Sequence, residues 1–213
     1  MPAGNDVVLP ILLAQQQRKI YGNGVRKGDV VLDCGAHVGT YVKTALDAGA
    51  SLVVAIEPSP PALECLRRNL EAEVKAGKVI IYPKGVWDKE EMLVMFDNGS
   101  GAAGDSFVTA GDGAKKMPGR PVTTIDNLAR ELNLSRVDFI KADVKGATER
   151  MLRGGAVTIR RDRPRMALST EEGPEDPLTI NNLVLTLSPL YKLRPGPCFF
   201  DGDEIRNEVI FFE

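Results

Sequence analysis

The pair VLDCGAHVG (residues 31–39) and VVAIEPSP (residues 53–60) constrains the fold of this chain more than any other feature. In the first, Val30, Val31 and Leu32 read as a short buried strand that ends in Asp33 and breaks into a turn carrying Gly35 and Gly39. The second is another apolar strand whose last residue is a carboxylate, Glu57. An open α/β sheet binds nucleotides in the crevice outside the carboxyl ends of its strands. Glycines there let the backbone approach a ligand, and an acid at the tip of the second strand can accept hydrogen bonds from a ribose diol. The pairing predicts an adenosine-containing cofactor before any substrate is considered.

Glycine spacing separates two kinds of cofactor. A dinucleotide fingerprint reads GxGxxG and seats pyrophosphate on a helix N-terminus. Here the spacing is D-x-G-x-x-x-G, with Asp33 ahead of the first glycine and Ala36 and His37 inside the loop. An acid at that point repels pyrophosphate but suits an ammonium or a sulfonium. S-adenosylmethionine carries both cations, no phosphate, and a ribose for Glu57 to hold, so the spacing favours a methyl donor over NAD. For Gly35 alone an ordinary strand-to-helix turn is the plain alternative.

A chain of 213 residues with 43% hydrophobic content can build one well-cored domain and is short for two. Its formal net charge of -2 makes no electrostatic case for nucleic acid or an anionic membrane. No apolar run has the length of a spanning helix, and the N-terminus lacks a basic segment followed by an apolar core. Cys34, Cys65 and Cys198 are scattered and without metal-ligand spacing, which points to a reducing cytoplasm and no metal site.

Strands and helices alternate along the chain, the pattern of a mainly parallel sheet. A helical lead-in within residues 1–27 has Val8, Leu9, Leu12 and Leu13 on one side. Strands are expected at 30–33, 52–57, 79–82, 137–142, 166–169, 191–193 and 208–212, the last as an antiparallel partner closing the sheet. Helices are expected at 40–48, after Ser59 as a cap, and at 124–132, 147–152 and 177–187. Residues 85–122 break the rhythm with a strand at 92–96 and a glycine-rich stretch, read as an inserted arm of the single domain: a solvated hairpin or a substrate-selecting lid.

A second constellation lies in VDFIKADVKGATERMLRGGA (residues 137–156), where Lys141 and Asp143 arrive at the carboxyl end of a buried strand. Asp143 would project into the crevice of Asp33 and Glu57, to orient an acceptor, bind a metal or hold the donor's amino group; capping the next helix is the alternative. Asp143 and Glu171, with Glu172 behind, are the candidates for acceptor orientation or proton removal. His37 shapes the loop or touches cofactor. Lys145 pairs with Glu149 on the surface, or with an acidic substrate.

From about residue 28 to 155, through GDVVLDCGAHVGTY, AIEPSP, GVWDKEE, PVTTIDNL and DFIKADVKGA, the chain resembles the FkbM-like class I methyltransferases. The resemblance implies a Rossmann-like, doubly wound, seven-stranded sheet and methyl transfer from S-adenosylmethionine, usually to an oxygen of a small molecule or sugar. Asp33, Gly35 and Glu57 match the family's cofactor positions, and Gly85, Val86 and Trp87 fall where a loop would border adenine. The cofactor-binding set then reads Asp33, Gly35, Ala36, His37, Gly39, Tyr41, Glu57, Pro58, Val86 and Trp87. The expected partner is a small-molecule or sugar acceptor, with a homodimer as the candidate assembly. The chain departs from the family's D-x-E-G-A-E run, with Lys145 and Thr148 at the glutamate positions, and carries Ser169, Thr170, Glu171 and Glu172 where a histidine is frequent. These departures motivate a second reading, a relative that binds the cofactor without catalysis.

Overall fold

The computed structural model describes residues 17–22, 24–98, 105–108, 113–170, 177–201 and 204–213, with Pro10 and Ala14. Val8, Leu9, Leu12 and Leu13 of the lead-in, and the acids Glu171 and Glu172, lie outside the described residues. The elements run β1 (Val30–Cys34), α1 (Thr40–Asp47), β2 (Leu52–Ile56), α2 (Pro60–Asn69), α3 (Glu71–Lys75), β3 (Val79–Tyr82), β4 (Gly85–Val86), β5 (Glu91–Asp97) and β6 (Lys115–Thr123). They continue with α4 (Ile125–Glu131), β7 (Phe139–Ala142), α5 (Thr148–Gly154), α6 (Ala156–Asp162), β8 (Arg165–Ser169), α7 (Pro177–Leu187), β9 (Leu193–Pro195), β10 (Cys198–Asp201), β11 (Glu204–Asn207) and β12 (Val209–Phe212).

The strands β1, β2, β3, β7 and β8 are apolar runs apart from Asp33, Lys141 and the ends of β8 (Arg165 and Ser169), because helices cover both faces of their sheet. The sheet order is β3-β2-β1-β7-β8-β12-β9; the first five strands run parallel and β12 is antiparallel to both neighbours. Alternation of side chains sorts the core into two layers. Leu32, Cys34, Ile140 and Leu168 face one layer with Leu128, Met151 and Val184 of the later helices. Val31, Val53, Phe139 and Phe211 face the other, with Ile20, Tyr21, Tyr41 and Leu66. Period two therefore turns Asp33 and Lys141, each two residues along its strand from Val31 and Phe139, into the second layer, under the segment that carries Tyr21 and the helix that carries Tyr41.

The mainly parallel α/β sheet is as expected, with adjustments at its margins. β7 starts at Phe139 rather than Val137, because the Val137 N–H is taken by the Asp162 carboxylate, while Asp138 uses its own carboxylate on the Val30 N–H. The short strand expected at 191–193 runs Leu193–Pro195, since Tyr191 turns inward and its hydroxyl donates to the Pro164 carbonyl. The last strand is antiparallel, as expected, and lies between β8 and β9. Ser59 occupies the N-cap of α2 without a capping bond, its hydroxyl being committed to the Asp105 carboxylate.

Within residues 85–122, β4, β6 and β5 form a separate three-stranded sheet. It is fastened to the main body through Trp87, which packs with Val122 and Ala147 while Arg150 lies 5.0 Å over its ring.

Candidate functional site

β1 has β2 on one side and β7 on the other, so the chain's winding reverses there and a crevice opens at the carboxyl ends of these strands. The β1–α1 loop forms its floor. The N–H groups of Gly35 and Ala36 both donate to the Ile56 carbonyl at 3.0 Å, tying this loop to the tip of β2. Gly35 takes φ +78 and packs so closely that a Cβ would lie 2.0 Å from the Asp143 carbonyl oxygen. Gly39, at φ +90, opens α1 with no side-chain cap, and a Cβ there would meet Leu66 and Leu70 at under 3 Å.

Glu57 stands just beyond β2 and is buried. One carboxylate oxygen accepts from the His37 N–H and the other from the Ser59 N–H, each at 2.8 Å. Burial pushes its pKa up to about 7 against these two donors. Each oxygen keeps a lone pair, so an ionised Glu57 can still accept the two hydroxyls of a vicinal diol. His37 has φ +49, a conformation unusual for a side-chain-bearing residue, and both its ring nitrogens are buried and without a hydrogen-bond partner. Burial first, then the nearby Lys141, lower its pKa to about 4, so the ring is neutral at pH 7.

On the other side of the crevice, the Lys141 ammonium lies 2.9 Å from the Asp33 carboxylate and donates to the Gly35 carbonyl at 2.8 Å. It also sits 5.1 Å from the Tyr21 ring centroid and 6.0 Å from that of Tyr41. Burial pulls the Lys141 pKa down, but Asp33 and Asp143 outweigh it and hold the ammonium protonated. Burial pushes Asp33 up, against the pull of Lys141. Asp143 accepts a hydrogen bond of 2.8 Å from the Tyr21 hydroxyl and lies 3.3 Å from the Lys145 ammonium. Burial opposes its ionisation, yet Lys145 and Lys141 hold its pKa well below the ordinary carboxylate range.

The structure thus brings Asp33, Gly35, Ala36, His37, Gly39, Glu57 and Asp143 to one place, with Pro58 beside them. Four assigned positions behave differently. Asp33 is fully covered and the cation it meets is Lys141. Tyr41 is a core residue, edge-on to Tyr21 and stacked on Phe139. Val86 and Trp87 are also buried, and the indole serves the anchoring of β4. Asp143 does not cap α5, whose N-cap is Ala147. Lys145, at φ +39, pairs with Asp143, while Glu149 forms an ion pair with Arg153.

Residues that spacing did not single out complete the crevice. Tyr21 reaches it from the N-terminal segment, and Arg18 pins that segment through both nitrogens of its fork to Glu208. Asp105 and Ser106 reach it from the arm: Asp105 accepts from the Ser59 hydroxyl, and Ser106 donates to the Lys145 carbonyl at 3.0 Å. The arm therefore bridges the tips of β2 and β7, which a freely solvated hairpin would not do. Only the Lys141 position carried a signal in the sequence, a charge inside an apolar strand.

A buried acid at the β2 tip, a glycine floor and a second carboxylate held towards its ionised form are chemically able to receive a diol and an ammonium. Residues 33–193 match the methyltransferase FkbM domain. The chain belongs to this family. Among solved structures it is similar to methyltransferase FkbM from Methylobacillus flagellatus KT, with a TM-score of 0.62 and 17% identity. That likeness covers 100% of this chain and 61% of the other, so the chain spans less than two thirds of that relative. A Streptococcus pneumoniae protein described as a tRNA methyltransferase, in complex with S-adenosyl-L-methionine, matches with a TM-score of 0.54 and 12% identity over 93% of this chain and 72% of its own. A Clostridium thermocellum protein described as an rRNA methylase matches with a TM-score of 0.51 and 10% identity, covering 94% and 92%. No curated protein matches the chain. The shared fold is that of Rossmann-like methyltransferases, and S-adenosylmethionine is the cofactor of this FkbM family. Among the described residues no helix is long and apolar enough to cross a membrane, and no cluster of three His, Cys, Asp or Glu could hold a metal ion.

The raised pKa of Glu57 gives opposite pH trends for affinity and stability. A diol needs the ionised carboxylate, so affinity for S-adenosylhomocysteine is expected to rise as pH climbs through about 7. The folded state binds the Glu57 proton more tightly than the unfolded chain, whose value is 4.5, so this group's stabilisation is full below pH 4.5 and is lost as pH rises through about 7. Glu57→Gln should abolish the affinity trend and weaken binding about tenfold, on the usual scale of a charged hydrogen bond. Calorimetric titration of both proteins from pH 5.5 to 8.5 checks this, and a flat profile for the parent would count against the assignment.

Proposed function

We propose that the chain is an enzyme that transfers the methyl group of S-adenosylmethionine to an oxygen of a small molecule or sugar. The observation that carries the reading is Glu57, a buried carboxylate at the β2 tip facing the Gly35–Gly39 loop across a 2.8 Å contact. When bound, the donor supplies a methyl group on a sulfonium, already activated for in-line displacement. Much of what remains for the protein is bringing acceptor and methyl into near-attack geometry.

The residues divide that work. Glu57 and the backbone of residues 35–37 hold the adenosine. Asp143 orients a hydrogen-bonding partner; as a base for an alcohol it is too weak, because Lys145 and Lys141 stabilise its ionised form. Glu171 stays the reading's candidate for proton removal, on the strength of its place in the sequence. The arm, attached through Asp105 and Ser106, covers the crevice and selects acceptors. A net charge of -2 favours small acceptors over the RNA substrates named for some structural neighbours. The reading takes residues 1–213 as one domain working in the cytoplasm.

A second reading, cofactor binding without transfer, draws on Lys145, which stands where the family has a glutamate and neutralises the acid beside it. Calorimetric titration with S-adenosylhomocysteine, with NAD as comparison, tests the donor site; incubation with S-adenosylmethionine and hydroxylated acceptors tests transfer. Binding of NAD alone would overturn both readings. Binding of S-adenosylhomocysteine without turnover of any acceptor would leave the second.

A further inference from the structure

The arm turns an apolar face towards the main body. Leu93 of β5 and Val122 of β6 pack there with Trp87 and Ala147, alongside Val144 of the loop after β7. Arg120 stands opposite Leu93 in the antiparallel register and two residues along β6 from Val122. Cross-strand partners share a face, as do residues two apart on one strand, so the Arg120 side chain belongs to this inner face. Its Nε is buried and has no hydrogen-bond partner. Among the described residues its guanidinium forms no ion pair. A buried donor left unmade is destabilising, and a charge on an apolar face is normally kept where a partner takes it up.

Asp105 places this cation relative to the crevice. Its carboxylate is near enough to feel the charge of Arg120, and it accepts from the Ser59 hydroxyl at 3.0 Å. The Ser59 N–H in turn donates to Glu57 at 2.8 Å. Asp105 does not neutralise the guanidinium: burial pushes its pKa up in spite of Ser59 and Arg120. Asp97, the other acid near Asp105, stands opposite Lys115 at the far end of β5. Arg120 therefore lies on the side of the arm that bridges the two strand tips, with Asp105 fastened to the β2 end and Val144 of the β7 end packed against the same face.

Resting on the methyl-transfer reading above, we infer that Arg120 recognises the acceptor, and that the acceptor is an anion: a hydroxylated small molecule bearing a carboxylate or a phosphate. A guanidinium presents five donors in a planar fork, which meets either oxyanion with two parallel hydrogen bonds. The unpartnered Nε supplies one of the two donors along an edge of that fork. A neutral sugar offers hydroxyls of similar shape but no charge, so it leaves the guanidinium uncompensated. The arm then selects by charge as well as by cover.

The test uses glucose, glucuronate and glucose 6-phosphate, one hydroxylated ring without charge, with a carboxylate and with a phosphate. Each is titrated by NMR into the protein saturated with S-adenosylhomocysteine. At least one anionic probe should bind about tenfold more tightly than glucose, the usual scale of a charged hydrogen bond, and the better of the two tells carboxylate from phosphate. Arg120→Gln should erase that preference and leave glucose where it was, while Arg120→Lys should keep part of it. Thermal unfolding and S-adenosylhomocysteine affinity of both variants should match the parent. No difference among the three probes, bound or not, or a preference that survives Arg120→Gln, would overturn the inference while the donor site stands. A parent that fails to bind S-adenosylhomocysteine would overturn the donor reading itself and this inference with it.

Discussion

Lys141→Met should lower the unfolding free energy by about 3–5 kcal/mol, the loss typical when one partner of a buried ion pair is removed. Asp33 has no exposed surface, and Lys141 is almost as deeply buried, so water cannot replace the ammonium once it is gone. The Asp33 carboxylate would be left charged in an apolar layer, and the Gly35 carbonyl would lose its 2.8 Å donor. Burial already pushes the Asp33 pKa up, and without Lys141 it would rise further, so the variant should unfold more readily as pH increases. Replacing both partners, as Asp33→Val with Lys141→Met, removes the uncompensated charge and should recover much of the stability. Urea unfolding of the three variants checks the order. A single variant as stable as the parent would mean that the pair is solvated and carries little.

The double variant separates folding from function. Lys141 joins Asp33 to the glycine floor, and its loss should loosen the Gly35–Gly39 loop even when the core is repaired. Weaker binding of S-adenosylhomocysteine by a stable double variant is therefore expected.

Gly35→Ala is the second large effect. Its cost has two parts: about 1–2 kcal/mol for placing an L side chain in the left-handed region, and a comparable amount for overpacking. Here the obstacle is the Asp143 backbone oxygen, 2.0 Å from the new Cβ, so no side-chain rotation can relieve it. The β7 tip or the loop has to move, and either shift carries the Asp143–Lys145 pair away from the crevice. Gly28→Ala is the control: φ is +89 there as well, but nothing lies within 4 Å of the added Cβ. It should cost only the conformational part and leave ligand affinity intact. Equal stability losses for the two variants would show that the packing at Gly35 is not tight.

Much of the architecture was legible along the chain. The apolar runs ending in Asp33 and Glu57 are β1 and β2, and Pro177–Leu187 is helical over the residues its pattern marks. Such features are local, since burial on both faces shows as continuous apolarity and helical periodicity shows within one window. Margins were less legible: the Val137 N–H ahead of β7 is taken by the Asp162 carboxylate and the Asp138 carboxylate accepts from the Val30 N–H, contacts which no periodicity encodes. The site divides in the same way. Gly35, Gly39 and Glu57 stand out because turn and strand-tip chemistry is written in adjacent residues.

What the sequence determined by itself was a mainly parallel α/β sheet with a glycine floor and an acid at the tip of its second strand. Tertiary structure decided which charge each acid meets. Asp33 reads as free for a ligand until strand order sets β7 against β1 and brings Lys141 opposite it. Tyr21 reads as part of a lead-in until folding brings it onto Asp143, 122 residues away. Asp105 and Ser106 read as arm residues until the arm reaches both strand tips. The reason is physical: spacing along the chain controls which face a residue occupies, while charge pairing depends on distances that only the order of strands across the sheet creates.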